Sequence, residues 1–129
     1  MKLKTMETFR KIARILLGII LIVFGLNAFY DFLGLPPMPD EARQVFDYMG
    51  YMIMYAVLFQ MLVGVLLLIN RFVPLALLVL APISLNILAF HIFFFPAGIL
   101  PGLVVAALNI YLLTQYLEFF KPFFRSKAG

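Results

Sequence analysis

Four long apolar stretches constrain this chain of 129 residues more than any other feature of its sequence. They cover residues 12–30, 49–70, 73–95 and 101–120. A helix of about 20 residues, rising about 1.5 Å per residue, crosses a hydrocarbon core of roughly 30 Å. Backbone groups inside a bilayer must bond to one another, and the stretches lack the alternation of barrel strands. We therefore predict an all-α, polytopic integral membrane protein, one domain over residues 1–129 built as a four-transmembrane-helix bundle.

The composition supports a lipid-facing exterior, because 65% of the residues are hydrophobic and only 12% are charged. Soluble domains carry about 45–50% apolar and about 25% charged residues. The chain has no cysteine and one histidine, so it offers neither a thiolate metal site nor two histidines for a haem. The sequence also contains no catalytic constellation, no metal-ligand cluster and no glycine-rich phosphate loop. We expect no covalently bound cofactor.

The segment between the first two stretches predicts a short surface helix. Residues 35–39, LPPMP, cannot continue a helix, because proline lacks the backbone N–H and restricts the residue before it. Residues 40–48 then begin with two acidic side chains, which favour a helix N-terminus. The mixture of polar and apolar positions is typical of an interfacial helix. We expect its apolar face to lie against the membrane, through Val45, Phe46 and Met49.

Basic side chains fall almost entirely on one side of a four-span arrangement. Arg43 alone falls on the other side, among four acidic residues. Short loops rich in Lys and Arg stay in the cytoplasm, where they also meet anionic headgroups rather than nucleic acid. We predict a multi-pass protein of the bacterial cytoplasmic (inner) membrane with both termini cytoplasmic. The nine residues on that side are Lys2, Lys4, Arg10, Lys11, Arg14, Arg71, Lys121, Arg125 and Lys127.

Seven polar side chains in or beside the predicted spans are the candidate site residues, because polar groups are costly to place in lipid. One interpretation is structural, since amides and hydroxyls bond between helices and contribute about 1 kcal/mol each. The other is that they line a pocket for a polar head such as a quinone ring. Both interpretations remain open at this point. The seven are Asn27, Asp31, Gln60, Ser84, Asn86, His91 and Asn109.

His91 is the only histidine, the residue type that changes charge near neutral pH. By residue count it lies toward the outer surface, as do Asn27 and Asp31, which share one face of the first helix. His91 is therefore either an interface residue or a partner of Asp31 in a proton relay or ligand site.

Gly98, Gly102 and Ala106 form a stripe of small residues at the start of the fourth stretch. This spacing allows another helix to approach closely. The neighbour is either another helix of the bundle or a second copy of the chain, so the stripe leaves a homo-oligomer open.

The run ARILLGIILIVFGLNAFYDFL, residues 13–33, resembles the first helix of the DoxX family, small four-helix bacterial membrane proteins. Further similarities are LPPMP, the Gly50-Tyr51 pair, INRFVPLAL and APISLNILAFHIFF. The resemblance covers about residues 13–95 and implies a four-helix fold in a membrane. It also implies a redox partnership, because the family name comes from membrane subunits associated with a thiosulfate:quinone oxidoreductase.

The chain departs from the family pattern in its second span, where relatives often carry Glu and this sequence has Gln60. A carboxylate carries a proton for a quinone, whereas an amide does not. Ala28 likewise stands where relatives often carry Lys after Asn27.

Three hypotheses about the function follow from the sequence. The chain is an accessory or anchor subunit of a quinone-linked oxidoreductase, as the resemblance favours, or a small transporter or lipid- or small-molecule-binding protein, or a structural scaffold with no chemistry of its own.

Overall fold

The computed structural model describes residues 2–127, and the elements found in that part of the chain are helical. Four helices are long and apolar enough to cross a membrane, and a short helix lies between the first two of them. The predicted fold class and the short helix are therefore confirmed. The five α-helices are α1 Lys2–Tyr30, α2 Asp40–Met49, α3 Tyr51–Ile69, α4 Val73–Phe94 and α5 Ile99–Gln115.

The four long helices form a ring in which each packs against two neighbours. Helix α1 contacts α3 and α5, and α4 contacts the same two helices from the opposite side. Leucines fill the centre, whereas many large apolar side chains of the same helices face outward. An exterior of this kind suits acyl chains rather than water. The fully buried leucines are Leu17, Leu21, Leu67, Leu77, Leu80 and Leu112.

Helices α1 and α3 approach each other most closely where two glycines meet. A Cβ atom added to Gly18 would lie 3.0 Å from the carbonyl oxygen of Gly64, and one added to Gly64 would lie 3.0 Å from that of Gly18. Small residues at a helix crossing allow this backbone approach in membranes. The two glycines therefore set the spacing of the α1–α3 pair.

The turn between α3 and α4 is tight. Asn70 adopts the left-handed conformation (φ 57°), and its N–H donates to the Leu67 carbonyl at 3.4 Å. The Arg71 N–H donates to the Leu66 carbonyl at 3.0 Å, which completes a Schellman motif. This turn and both chain ends lie at one end of the bundle, which we call the basic end. The loop of residues 31–39 and α2 lie at the other, which we call the loop end.

The first and last helices differ in length from the predicted spans. Helix α1 begins at Lys2, ten residues before the predicted start, because polar residues extend a helix outside the apolar region. Helix α5 begins at Ile99 after a 3-10 turn over Pro96–Gly98 and ends at Gln115, five residues before the predicted end. The chain then continues in the 3-10 turns Leu117–Phe119 and Lys121–Phe124. Pro122 has no N–H to donate to the preceding turn, so a regular α-helix does not continue through it.

Candidate functional site

A cavity of about 740 Å³ lies at the loop end of the bundle, between α3 and α4. Its wall includes the last turn of α1, part of the following loop, one side of α2, the first half of α3 and the second half of α4. Helix α5 contributes no side chain to it. A volume of this size is typical of small-molecule sites. Five of the seven candidate residues line the cavity, namely Asn27, Asp31, Gln60, Asn86 and His91.

Asn86 presents a free amide to the cavity from within a membrane-spanning helix. It lies eight residues before the end of α4, one turn after Pro82, which lines the same wall. The Asn86 side chain is exposed and forms no hydrogen bond with any residue that the structure describes. An amide at this depth needs a partner, because lipid offers none. The partner must therefore come from water or a ligand in the cavity.

Gln60 joins the cavity to the α1 backbone. Its Nε2 donates to the Leu21 carbonyl oxygen at 3.0 Å, a bond that fixes the direction of the side chain. Nothing in residues 2–127 bonds its Oε1, and the residue is half-buried in the cavity wall. Gln60 therefore has a structural bond on one amide atom and a free acceptor on the other.

His91 is oriented by its own helix. Its Nδ1 lies 2.8 Å from the Ile87 carbonyl oxygen, and a carbonyl only accepts, so Nδ1 carries the proton and donates. The ring stacks on Phe95, with centroids 5.7 Å apart and planes 24° apart. In the neutral imidazole this leaves Nε2 as a lone-pair acceptor on a residue that lines the cavity.

Asn27 and Asp31 end α1 at the rim of the cavity. The Asn27 Oδ1 accepts the N–H groups of Phe32 at 2.9 Å and Leu33 at 2.8 Å, so it stabilises the turn that follows the helix. Asp31 takes a left-handed backbone conformation (φ 45°) that turns the chain into the loop. The Asp31 carboxylate and His91 line the same cavity, but no hydrogen bond or ion pair joins them.

Comparison with known proteins places this arrangement in a family. The DoxX family model matches residues 9–95, which is more than half of the chain. The chain belongs to the DoxX family. No curated protein and no solved structure matches it. The matched segment contains every residue that lines the cavity, whereas α5 lies outside both the match and the cavity wall.

Ser84 and Asn109 are separate from the cavity of this DoxX protein. The Ser84 hydroxyl lies 3.0 Å from both the Ala81 carbonyl oxygen and the Asn109 Oδ1. The Asn109 Nδ2 donates to the Leu77 carbonyl oxygen at 3.1 Å. Both side chains are buried, so they join α4 to α5 and are not available to a ligand. For these two of the seven candidates, the geometry fits the structural interpretation.

The DoxX cavity also uses residues of α2 that sequence reasoning placed elsewhere. Phe46 and Met49 line the cavity, and the Phe46 ring packs edge-on against Phe90 at 6.3 Å. Ala42 of the same helix is fully buried. The sequence did not indicate these contacts, because amphipathic spacing gives the apolar face of a helix but not whether lipid or protein covers it.

Arg43 was not among the candidates, yet it lines the cavity from α2. Its side chain is exposed and has no carboxylate within ion-pairing distance among the described residues. The available signal was its position, as the only basic residue in the acidic segment between the first two spans. It adds a cation to the lining of the cavity that Asp31 also lines.

The stripe of small residues packs within the bundle. Gly102 and Ala106 are buried, and a Cβ added to Gly102 would lie 3.3 Å from Ile87 of α4. A Cβ added to Gly98 would lie 2.9 Å from the ring of Phe95. Sequence analysis left open whether the stripe packs against another helix of the bundle or against a second copy of the chain. The contacts described here are with residues of the same bundle.

Proposed function

We propose that this DoxX protein is an accessory membrane subunit of a quinone-linked oxidoreductase, and that its loop-end cavity holds the quinone ring. The observation that carries the proposal is the unpaired amide of Asn86 inside a cavity of about 740 Å³. A site of this depth, lined by apolar side chains with few polar atoms, suits a ligand with an apolar body and a small polar centre.

A quinone fits the polar atoms that the cavity leaves free. Its ring oxygens accept hydrogen bonds, and Asn86 offers an N–H to one of them. The free acceptors, the Oε1 of Gln60 and the Nε2 of His91, suit the hydroxyl groups of the reduced form. The aromatic and aliphatic wall, which includes Phe46, Ile83 and Phe90, suits the ring faces and the apolar tail.

The residues support binding rather than electron transfer by this chain alone. Gln60 is an amide and does not release a proton to a quinone, and the described residues include no group of metal-ligating side chains. The electrons would therefore come from or go to a partner subunit. The quinone in this proposal is a guest that the chain positions for that partner.

Quinone binding is tested by extracting the protein from its native membrane in mild detergent and measuring bound quinone by mass spectrometry. We expect wild-type protein to copurify with quinone and with a redox subunit. Asn86→Leu should lower bound quinone at least fivefold, because it removes a donor that no protein group replaces. Leu85→Ala is the matched control, since Leu85 is the neighbouring exposed residue of α4 and does not line the cavity. Wild-type protein free of quinone, or equal loss in both variants, would overturn the proposal.

A second candidate is binding or transport of a charged amphipathic molecule, and Arg43 with Asp31 at the rim favours it. Ligand binding by the Arg43→Gln variant distinguishes the two functions. A quinone has no charge, so its retention should be unchanged in this variant, whereas binding of an anionic ligand should fall. Flux through liposomes that contain only this chain would support transport.

A further inference from the structure

Arg14 is the most buried charged side chain at the basic end of the bundle, with 8% of its surface exposed. Its Nη1 donates to the carbonyl oxygen of Leu67 in the last turn of α3. Leu67 lies opposite α1 across the seam between the two helices, so the bond ties Arg14 to the α3–α4 turn. This site is independent of the cavity, which lies at the other end of the bundle.

Within residues 2–127, no carboxylate forms an ion pair with Arg14. The one ion pair in residues 2–127 joins Lys121 to Glu118 at 2.9 Å. The carbonyl end of α3 carries a partial negative charge, which offsets only part of a full positive one. A buried charge without a full partner is unfavourable, so the site is incomplete in the protein alone.

The guanidinium still has nitrogen atoms to offer. Among the described residues, no buried side-chain nitrogen or oxygen lacks a hydrogen-bond partner. Arg14 makes only the bond to Leu67, so its remaining nitrogen atoms must reach the surface. A side chain held by packing, with free N–H groups at the surface, is a preorganised anion receptor.

Two further cations, both exposed, stand at backbone positions near Arg14 and its partner Leu67. Lys11 lies one helical turn before it on α1, a spacing that brings side chains together. Arg71 lies one turn after Leu67, held by its N–H bond to the Leu66 carbonyl. Glu7, the acidic residue of α1, lies a further turn away from the span and forms no ion pair. Arg10 is occupied elsewhere, 5.5 Å above the Tyr116 ring.

We propose that Arg14, Lys11 and Arg71 bind the phosphate group of an anionic phospholipid. Arginine matches phosphate oxygens with paired N–H donors, and basic pockets between transmembrane helices bind such headgroups. Leu68 lies over Gly18 in the same seam and is 38% exposed, which gives the acyl chains an apolar surface beside the phosphate. The lipid supplies the negative charge that the bundle itself does not provide for Arg14.

The test is native mass spectrometry of the full chain, delipidated in detergent and titrated with phosphatidylglycerol or phosphatidylcholine. We expect the wild type to retain phosphatidylglycerol preferentially. Lys11→Gln and Arg71→Gln should each weaken that binding about fivefold, and both together by more. These two exposed positions carry the test if Arg14→Gln fails to fold. Lys2→Gln removes the same charge from an exposed position of α1 nine residues before Lys11, about 13 Å farther along the helix, and should leave phosphatidylglycerol binding unchanged.

Three results would overturn the proposal. Equal retention of the two lipids would show that the phosphate is not recognised through its net charge. An effect of Lys2→Gln as large as that of Arg71→Gln would show a response to overall charge rather than to this site. Displacement of the lipid by inorganic phosphate, beyond that by chloride at the same ionic strength, would assign the site to free phosphate instead.

Discussion

The Ser84 hydroxyl and the Asn109 Oδ1 lie 3.0 Å apart in the buried interface between α4 and α5. The Asn109 Nδ2 extends this link to the Leu77 carbonyl oxygen of α4 at 3.1 Å. A single asparagine thus bonds to two points of α4, Leu77 and Ser84, which are about two helical turns apart. Asn86, two residues after Ser84 on α4, has no such bond and lines the cavity. Polar side chains only two positions apart on one helix therefore have different surroundings.

Removing the α4–α5 link should destabilise the bundle. We expect Ser84→Ala to lower the free energy of unfolding by about 1 kcal/mol. Asn109→Leu should lower it by about 1–3 kcal/mol, because it removes the buried bonds to both the Leu77 carbonyl and the Ser84 hydroxyl. Asn86→Leu should leave stability unchanged or raise it, since no protein bond is lost. Thermal unfolding in detergent, followed by circular dichroism, measures all three. A loss for Asn86→Leu as large as that for Asn109→Leu would contradict the assignment.

The α1–α3 crossing should tolerate no side chain at Gly18. The Cβ of Gly18→Ala would lie 3.0 Å from the Gly64 carbonyl oxygen, a backbone atom that moves only with its helix. We expect a loss of about 1–3 kcal/mol in the free energy of unfolding. Gly102→Ala is the control, because its Cβ would meet the flexible end of Ile87 at 3.3 Å. If the control lost more stability than Gly18→Ala, the proposed crossing geometry would be incorrect.

Asn70 should accept glycine but not a β-branched residue. Its left-handed conformation (φ 57°) suits Gly without steric cost, so Asn70→Gly should change stability by less than about 0.5 kcal/mol. Asn70→Val should lower the free energy of unfolding by about 1–2 kcal/mol, because its branched Cβ is strained there. Chemical unfolding in mixed micelles compares the two. Equal effects would show that the backbone at this turn is not under this constraint.

Both chain ends should lie in the cytoplasm. Nine basic residues gather at the end of the bundle that carries the termini and the α3–α4 turn, and such residues are retained on the cytoplasmic side. Reporter fusions at residues 1 and 129 should give the cytoplasmic signal, and an insertion in the loop of residues 31–39 should give the opposite one. Signals from different compartments for the two ends would rule out an even number of spans.

The sequence by itself determined which four segments form the spans and where the short helix lies, although not where α5 ends. Hydropathy and helix length decide which segments cross a bilayer, and the prolines of residues 35–39 interrupt the helix between the first two spans, so these features depend on local chemistry. Motif order along residues 13–95 also indicated the family. The sequence also identified the polar residues in and beside the spans, but only as positions along four separate helices.

Only the tertiary structure decided which of those residues share surroundings. Nearly uniform apolar spans do not specify the rotation of each helix, so the sequence could not separate Asn86 in the cavity from Ser84 in the α4–α5 interface. The sequence likewise did not specify the rotation of α2, whose Phe46 packs against Phe90. The bond from Arg14 to Leu67 spans 53 residues of sequence. Contacts of that kind exist only after the helices have packed, because packing fixes which faces meet.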